Sequence, residues 1–160
     1  MELCAYFDAD HGSDSTYRKS VTGFCIFLGD SLIFWKSKKQ SIVSQSSTEA
    51  EYRAMTFTTK KIIWLRWLLV DMRVFFFHPA PIYCDSQSSI QIAHNSVFHE
   101  RTKHIEIDCH LTRHHLKHDT ITLPFVPFSL QIADLFTKVH SVSRFCFLVV
   151  KLSMLIAAAS

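Results

Sequence analysis

The sequence predicts an α/β domain built around a mixed β-sheet. Its 160 residues fit one domain, and 48% of them are hydrophobic, which is enough for a core without disulfide bonds. Segments typical of strands come first, and a long amphipathic helix follows them. Further strands then alternate with helices, an order that indicates crossover connections and parallel pairing after an initial hairpin.

Three strands open the predicted fold. Residues 3 to 9 alternate between two sides and carry Asp8 to the end of the strand. Residues 22 to 28 and 31 to 37 are aromatic and β-branched runs, and the two-residue connection that begins with Gly29 suits a hairpin. The first strand is therefore expected to be followed by an antiparallel pair.

The stretch from residue 44 to 55 predicts the start of a long helix. Ser46 and Glu49 satisfy the Ser/Thr-x-x-Glu capping box, in which a hydroxyl and a carboxylate bind free N–H groups of the first turn. Thr48 and Glu51 satisfy it equally well, so the register stays open. Taken alone, either glutamate is a cap or a partner of the helix dipole. Apolar residues recur behind them at spacings near three or four: Ala50, Ala54, Phe57, Ile62, Leu65, Leu68 and Leu69.

Shorter elements follow this helix, which is expected to end near Met72. Residues 82 to 84 form a short apolar strand that stops at Asp85. Ser86 then caps a second helix that continues to about residue 93.

The last third of the chain predicts four elements. A polar helix covers residues 103 to 117, and a strand covers residues 120 to 126. Ser129 caps a helix that contains Asp134. The apolar tail from residue 145 to 159 is shorter than the ~20 residues of a membrane helix, so it predicts a packing helix.

Four acids are predicted to converge at one edge of the sheet. Asp8 and Asp85 both stand at strand ends, and sites in α/β folds lie beyond the carboxyl ends of parallel strands. Two carboxylates at such a short distance repel each other unless a cation binds between them. Glu51 and Asp134 could complete an oxygen-only set suited to Mg²⁺ or Mn²⁺, as in a two-metal phosphoryl-transfer site. Considered singly, each aspartate is an ordinary turn or helix residue.

Composition excludes several classes of protein. The five cysteines are scattered and show no C-x-x-C spacing, which argues against a disulfide framework and a cysteine zinc site and favours a reducing compartment. No apolar run follows a basic start, so no secretion signal is expected and an intracellular location, cytoplasmic or nuclear, is indicated. The net charge of +3 is compatible with nucleic acid without demonstrating it.

Several longer motifs carry a resemblance to a known family. They are YFDAD (6 to 10), SVTGFCIFLGDSLIFWKSKKQ (20 to 40), SSTEAEYRAM (46 to 55), IYCDSQSSIQIAHN (82 to 95), FHERTKHIEIDCH (98 to 110) and LQIADLFTK (130 to 138). In this order they resemble the RNase H domain of copia-type LTR retrotransposon Pol polyproteins, particularly those of plants. The resemblance implies an RNase H-like fold over residues 1–140, with a five-stranded mixed sheet flanked by helices, and leaves residues 141–160 as an apolar C-terminal helix or tail.

The same resemblance implies ribonuclease H activity, the hydrolysis of the RNA strand of RNA/DNA hybrids. The family's catalytic, metal-binding acids fall on Asp8, Glu51, Asp85 and Asp134, which selects Glu51 over Glu49. By the implied mechanism Asp8 bridges two Mg²⁺ ions, for which Mn²⁺ is a substitute. Asp134 helps to hold the ion at the attacking water, whereas Glu51 and Asp85 hold the ion at the leaving 3′ oxygen.

Substrate contacts and partners are implied in the same way. Ser47, Thr48 and Gln87 are placed to meet the 2′-hydroxyl groups by which a protein distinguishes RNA from DNA, although each is equally suited to be a cap or turn residue. A reverse transcriptase in cis or in trans is the expected protein partner, and no membrane is expected. The chain departs from the family pattern at His11, in the loop after the first strand, and at Val139, where a proline is usual.

Three other interpretations stay open. His110, His114 and His118 are spaced by four on one helix, so two of them could chelate zinc. Alternatively, the chain binds hybrid or duplex RNA without cleaving it, through phosphate contacts from Lys36, Lys38, Lys39, Lys60, Lys61, Arg101 and Lys103. A decayed retroelement fragment without activity is the third.

Overall fold

The computed structural model describes residues 2–12, 18–95 and 105–152. Its sheet has five strands in the order β3-β2-β1-β4-β5. The strands are β1 (Leu3–Asp10), β2 (Val21–Leu28), β3 (Ser31–Lys39), β4 (Ala80–Tyr83) and β5 (Ile121–Thr122). β1 pairs antiparallel with β2 and parallel with β4, so the predicted mixed sheet is confirmed.

The hairpin and the crossover both follow from local chemistry. Gly29 turns β2 into β3 with a φ of 60°, a left-handed conformation that glycine adopts without a steric penalty. The parallel strand β4 is reached only after the long helix, because a parallel neighbour requires a crossover connection. Across the β1–β4 pair, Tyr6 lies opposite Tyr83.

Four α-helices lie in the described part of the chain. They are α1 (Ser47–Asp71), α2 (Gln87–His94), α3 (Glu106–Lys117) and α4 (Val142–Lys151). Among the described residues, no helix is both long and apolar enough to span a membrane.

The structure decides the register at the start of α1 in favour of Ser46. The Ser46 hydroxyl accepts a hydrogen bond from the Glu49 N–H at 3.1 Å, and the Glu49 carboxylate accepts one from the Gln45 N–H at 2.8 Å. Glu49 is therefore used as a capping residue, and Glu51, two positions further along the helix, points elsewhere.

Both faces of the sheet are covered by apolar packing. Leu3, Ala5 and Phe7 of β1 belong to the larger core, which also contains buried residues of α1. Side chains alternate between the two faces along each strand, so Cys25 and Phe27 of β2 lie on the other face of the sheet. There they pack with Ile132 and with Leu148 and Leu152 at the C-terminal part of α4. The packing helix expected in the tail is thus present as α4, and residues 153–159 lie outside the described ranges.

Two expectations for the last third of the chain are wrong. The strand predicted over residues 120 to 126 is only two residues long, followed by an isolated bridge between Cys84 and Phe125. The helix predicted after Ser129 is instead a pair of 3-10 turns, Phe128–Leu130 and Ile132–Phe136.

Gln131 explains why no continuous helix forms there. Its fully buried side chain donates to the Phe7 carbonyl at 2.9 Å and accepts from the Ala133 N–H at 3.3 Å. These hydrogen bonds attach the segment between the two turns to β1. The first residues of the predicted helix over 103–117 lie outside the described ranges, and the described helix starts at Glu106.

Candidate metal centre

Parallel pairing of β1 with β4 brings two of the predicted acids together. Tyr6 and Tyr83 are partners in register, so Asp8 and Asp85, each two residues further along, leave the same edge of the sheet. Asp8 is almost fully buried and Asp85 is partly buried. Two carboxylates therefore face one small volume at the carboxyl ends of neighbouring strands.

The second 3-10 turn supplies a third acid from the face of the sheet that α4 covers. Asp134 is fully buried, and one carboxylate oxygen from each of Asp8, Asp85 and Asp134 lies within 4.8 Å of the others. In the described ranges, these three form the one group of three or more acid, histidine or cysteine side chains with such spacing.

Gly23 makes this approach of the turn possible. It lies opposite Asp8 in the β1–β2 register, and a methyl group there would come within 2.7 Å of the Phe136 Cβ and 2.6 Å of the Thr137 Cγ2. Real side-chain atoms do not approach so closely. The absence of a side chain at this strand position therefore lets the turn that carries Asp134 lie against β2.

Glu51 reaches the site from the opposite face of the sheet. Its Oε1 accepts a hydrogen bond from the Ala9 N–H at 3.1 Å, whereas its buried Oε2 has no hydrogen-bond partner in the described part of the chain. Burial, with the charges of Asp8 and Asp85 added, raises the pKa of Glu51 well above its ordinary value. A buried oxygen without a partner, beside further carboxylates, suits a cation ligand.

The pKa values of Asp85 and Asp134 are raised as well. Burial raises the pKa of Asp85, and the charge of Asp8 raises it further. Burial also raises the pKa of Asp134, even though Lys138 hydrogen-bonds to its carboxylate. Hard oxygen ligands under mutual repulsion fit Mg²⁺ or Mn²⁺. Asp8, Asp85 and Asp134 can therefore hold a metal ion, and Glu51 lies close enough to Asp8 and Asp85 for their charges to raise its pKa.

Basic side chains around the acids were missed by the sequence analysis. Lys138 Nζ lies 3.1 Å from the Asp8 Oδ1 and 2.7 Å from the Asp134 Oδ1. Arg144 Nη2 lies 3.4 Å from the Asp134 Oδ2, and the Thr137 hydroxyl donates to Asp8. The spacing of four between Asp134 and Lys138 was a usable signal, because such a pair can meet across one helical turn.

The predicted substrate-contacting residues lie at two adjoining helix starts. Ser47 is the first residue of α1 and Gln87 is the first residue of α2, and both are exposed. The Ser89 hydroxyl donates to the Thr48 carbonyl at 3.5 Å, which joins the two helix starts. They can present side chains to one ligand, and Glu51 lies one helical turn after Ser47 on α1.

The histidines of α3 do not form such a centre in the described residues. His114 and His118 have ring centroids 4.2 Å apart, and His118 Nδ1 lies 2.8 Å from the His114 carbonyl. Neither belongs to a group of three metal-binding side chains. The zinc alternative therefore lacks a third protein ligand in this part of the chain.

A basic cavity of about 180 Å³ lies between the end of β3, α1 and α3. Lys38, Lys39, Arg53 and Lys60 line it, together with Asp108. Lys60 Nζ lies 3.7 Å from the Asp108 Oδ1, so part of the positive charge is balanced. Of the lysines and arginines named as phosphate contacts, Arg101 and Lys103 lie outside the described ranges.

Comparisons with known proteins give consistent results. No family model matches the sequence. The chain is 38% identical over 138 residues to the Retrovirus-related Pol polyprotein from transposon RE2 of Arabidopsis thaliana, which covers 86% of this chain and 10% of that protein. It is 38% identical over 145 residues to the corresponding polyprotein from transposon TNT 1-94 of Nicotiana tabacum, covering 89% and 11%. The chain thus spans about a tenth of the length of these relatives.

Solved structures share the fold at low sequence identity. LC11-RNase H1, isolated from compost, superposes with a TM-score of 0.63 at 16% identity over 85% of this chain and 92% of that one. The same enzyme in complex with an RNA/DNA hybrid gives a TM-score of 0.60 at 13% identity, covering 85% and 94%. Prototype foamy virus protease-reverse transcriptase gives 0.55 at 15% identity, covering 97% of this chain and 21% of that chain. The predicted resemblance and the RNase H-like fold are both confirmed.

Proposed function

We propose, on the premise that this chain is a region of a plant copia-type retrotransposon Pol polyprotein with an RNase H-like fold, that it is a ribonuclease H. Its substrate would be the RNA strand of an RNA/DNA hybrid made during reverse transcription. A reverse transcriptase, in the same polyprotein or as a separate chain, would be its partner.

One observation carries this proposal. Oxygens of Asp8, Asp85 and Asp134 lie within 4.8 Å of one another at the carboxyl ends of parallel strands, and Glu51 presents a buried oxygen without a partner beside them. A buried carboxylate oxygen without a hydrogen-bond partner costs free energy, and a bound cation would offset that cost. The arrangement is therefore suited to a reaction that depends on bound cations.

Asp8 is the natural centre of the site. Its charge raises the pKa of each of the other three acids, Glu51, Asp85 and Asp134, so it is their shared neighbour. This position supports the bridging role that the family resemblance implies. Glu51 and Asp85 would then serve one ion and Asp134 the other.

The chain's own residues position the reaction. Gln131 holds the turn of Asp134 against β1, Gly23 leaves room for this turn beside β2, and the Ala9 N–H binds Glu51. Two divalent cations held by these acids would activate a water molecule and stabilise the leaving 3′ oxygen. The products would be a 5′-phosphate and a 3′-hydroxyl.

Binding of the hybrid would use the exposed helix starts and the basic cavity. Ser47, Thr48 and Gln87 are proposed to contact 2′-hydroxyl groups, which only the RNA strand offers. The lysines of the cavity would contact phosphates, because neutralised phosphates release counterions and favour binding.

The test is cleavage of a labelled RNA/DNA hybrid by the purified chain with Mg²⁺ or Mn²⁺. Single-stranded RNA and duplex RNA serve as substrate controls. We expect hybrid-specific cleavage that falls by about a hundredfold or more in Asp85→Asn, the scale seen when one transition-state stabiliser is lost. Asp71→Asn, an exposed acid at the end of α1, is the matched control and should keep full activity.

The alternatives predict other results. A folded chain that binds the hybrid without cleaving it under either metal would be a binding module. Its affinity would be unchanged or slightly higher in Asp85→Asn, because repulsion of phosphate falls. A chain that neither cleaves nor folds cooperatively would be a decayed fragment.

A further inference from the structure

The candidate metal centre contains a cation of its own. Lys138 Nζ lies 2.7 Å from the Asp134 Oδ1 and 3.1 Å from the Asp8 Oδ1, so one ammonium group joins two fully or almost fully buried carboxylates. These are two of the three acids that can hold a metal ion. The ammonium group and a divalent ion would therefore compete for the same carboxylates.

Electrostatics explains why the metal-free chain needs this contact. Burial penalises the charged forms of Asp134 and Asp85, and each is close to Asp8. An opposite charge within hydrogen-bond distance favours the ionised state. Arg144 compensates part of the charge of Asp134, and Lys138 is the cation that contacts both Asp134 and Asp8.

Lys138 is also able to leave. Its side chain is 30% exposed, whereas those of Asp8 and Asp134 are 1% and 0% exposed. The flexible four-carbon stem of a lysine lets its ammonium group move while the backbone stays in place. The ring of Phe128 lies 5.0 Å from Nζ, within the range of a cation–π contact, and gives the ammonium a second favourable neighbour.

We propose that Lys138 is an internal counter-cation that a divalent metal ion must displace, and that it thereby sets the metal affinity of the site. This inference rests on the proposed metal-dependent function. Without a metal, Lys138 holds Asp8 and Asp134 together. On metal binding, its ammonium group moves away from the carboxylates toward the solvent.

Two neutral variants test the proposal: Lys138→Met, which removes charge and hydrogen bonding, and Lys138→Gln, which keeps a donor. Lys138→Arg retains the charge. Lys151→Met is the matched control, since the Lys151 ammonium group also lies over a phenylalanine ring, Phe147, at 5.7 Å, but outside the centre. Two quantities are measured for each variant: the Kd for Mn²⁺ by calorimetry, and the melting temperature in EDTA and in saturating Mn²⁺.

We expect both neutral variants to bind Mn²⁺ about tenfold more tightly than the wild type, within the usual range of coupling between two binding events. In EDTA they should melt at a lower temperature than the wild type, and in saturating Mn²⁺ this deficit should disappear. Lys138→Arg and Lys151→Met should leave the Mn²⁺ affinity unchanged.

A purely structural lysine would give a different pattern. The melting temperature of the neutral variants would then be lowered equally in EDTA and in Mn²⁺, and the Mn²⁺ affinity would be unchanged or weaker. Either result overturns the proposal, as does a folded wild-type chain that binds no Mn²⁺. If the neutral variants fail to fold even in Mn²⁺, the proposal is also overturned, because it requires the metal to replace the lysine.

These outcomes are separable from those of the nuclease test. Competition between Lys138 and Mn²⁺ in a chain that cleaves no hybrid would support this inference and reject the nuclease. Metal-dependent cleavage by a chain whose Mn²⁺ affinity does not change when Lys138 is replaced would support the nuclease and reject this inference.

Discussion

The carboxylate of Glu51 accepts a hydrogen bond from the backbone N–H of Ala9 at 3.1 Å, although 42 residues separate the two in sequence. This bond joins the first turns of α1 to the end of β1, next to Asp8. It occupies one oxygen of Glu51 and leaves the other, buried oxygen without a hydrogen-bond partner in the described part of the chain. The contact therefore places a charged group where its ionisation opposes folding.

Glu51→Gln is expected to stabilise the metal-free chain at neutral pH. Burial and the charges of Asp8 and Asp85 raise the pKa of Glu51 above its ordinary value of 4.5, so the folded state binds this proton more tightly than the unfolded state. The metal-free wild type should then lose stability as the pH rises from about 4.5 through the raised pKa. Glutamine keeps the shape of the side chain and carries no charge, so Glu51→Gln should be more stable than the metal-free wild type at pH 7.

Urea denaturation in EDTA at several pH values measures this effect. Asp85 and Asp134 also have raised pKa values, so the variant should show a shallower pH dependence of stability rather than none. Glu106→Gln, an exposed acid in the first turn of α3, is the control and should follow the wild-type pH dependence. A Glu51→Gln variant that is less stable than the wild type at pH 7 would contradict the prediction.

Gly23→Ala is expected to destabilise the chain by about 1–3 kcal/mol, the usual cost of overpacking. The new methyl group would meet Thr137 and Phe136 at distances below 3 Å, and the turn that carries Asp134 must move away. Weaker Mn²⁺ binding should accompany the loss of stability.

Gly29→Ala separates this effect from a general glycine effect. Gly29 has a left-handed φ of 60° but nothing within 4 Å of an added methyl group. Alanine there should cost about 1–2 kcal/mol through backbone strain and leave Mn²⁺ affinity unchanged. Equal effects of the two variants on metal binding would argue against the role given to Gly23.

Gln131→Leu is expected to cost about 2 kcal/mol or more in the free energy of unfolding. Leucine fills a similar volume, but the Phe7 carbonyl and the Ala133 N–H lose their side-chain partner in a buried setting, which typically costs 1–3 kcal/mol per group. Denaturant titration measures the difference. Gln91→Leu, at an exposed position of α2, should stay within about 0.5 kcal/mol of the wild type.

Lys36 and Lys38 are expected to contribute to nucleic-acid affinity. They lie on the same side of β3, and Lys38 lines the basic cavity. Replacing both with glutamine should lower the slope of log affinity against log salt by about 1–2, because each phosphate contact contributes about 0.7–0.9. The measurement is the affinity of the chain for an RNA/DNA hybrid at several salt concentrations. The lysine replacements are made in the Asp85→Asn chain, so that the hybrid is not cleaved.

Lys151→Gln provides the matched lysine control for this measurement. Lys151 lies in α4, which packs on the opposite face of the sheet from α1. The slope should not change in this variant. A loss of slope in Lys151→Gln that is about half the loss in the double variant would show that net charge, rather than the position of the lysines on β3, controls binding, because the control removes one charge and not two.

Much of the fold was predictable because its signals are local. The alternation that ends at Asp8, the glycine at the start of the hairpin turn and the long amphipathic run of α1 each reflect backbone and hydrophobic preferences of neighbouring residues. The segment around Asp134 was not predictable in this way. Its conformation depends on Gln131, whose side chain reaches Phe7, 124 residues away.

The sequence alone placed Asp8 in the last part of β1 and Asp85 just after β4, and it carried the resemblance to a retroelement family. It left the choice between Ser46 and Thr48 as the cap of α1 to the structure, because both spacings satisfy the same local rule. Only the tertiary structure decided that Glu51 faces Ala9, that Gly23 admits the turn of Asp134, and that Lys138 lies between two acids. The physical reason is that these contacts join residues from opposite faces of the sheet, and no periodicity along the chain encodes which side chains meet there.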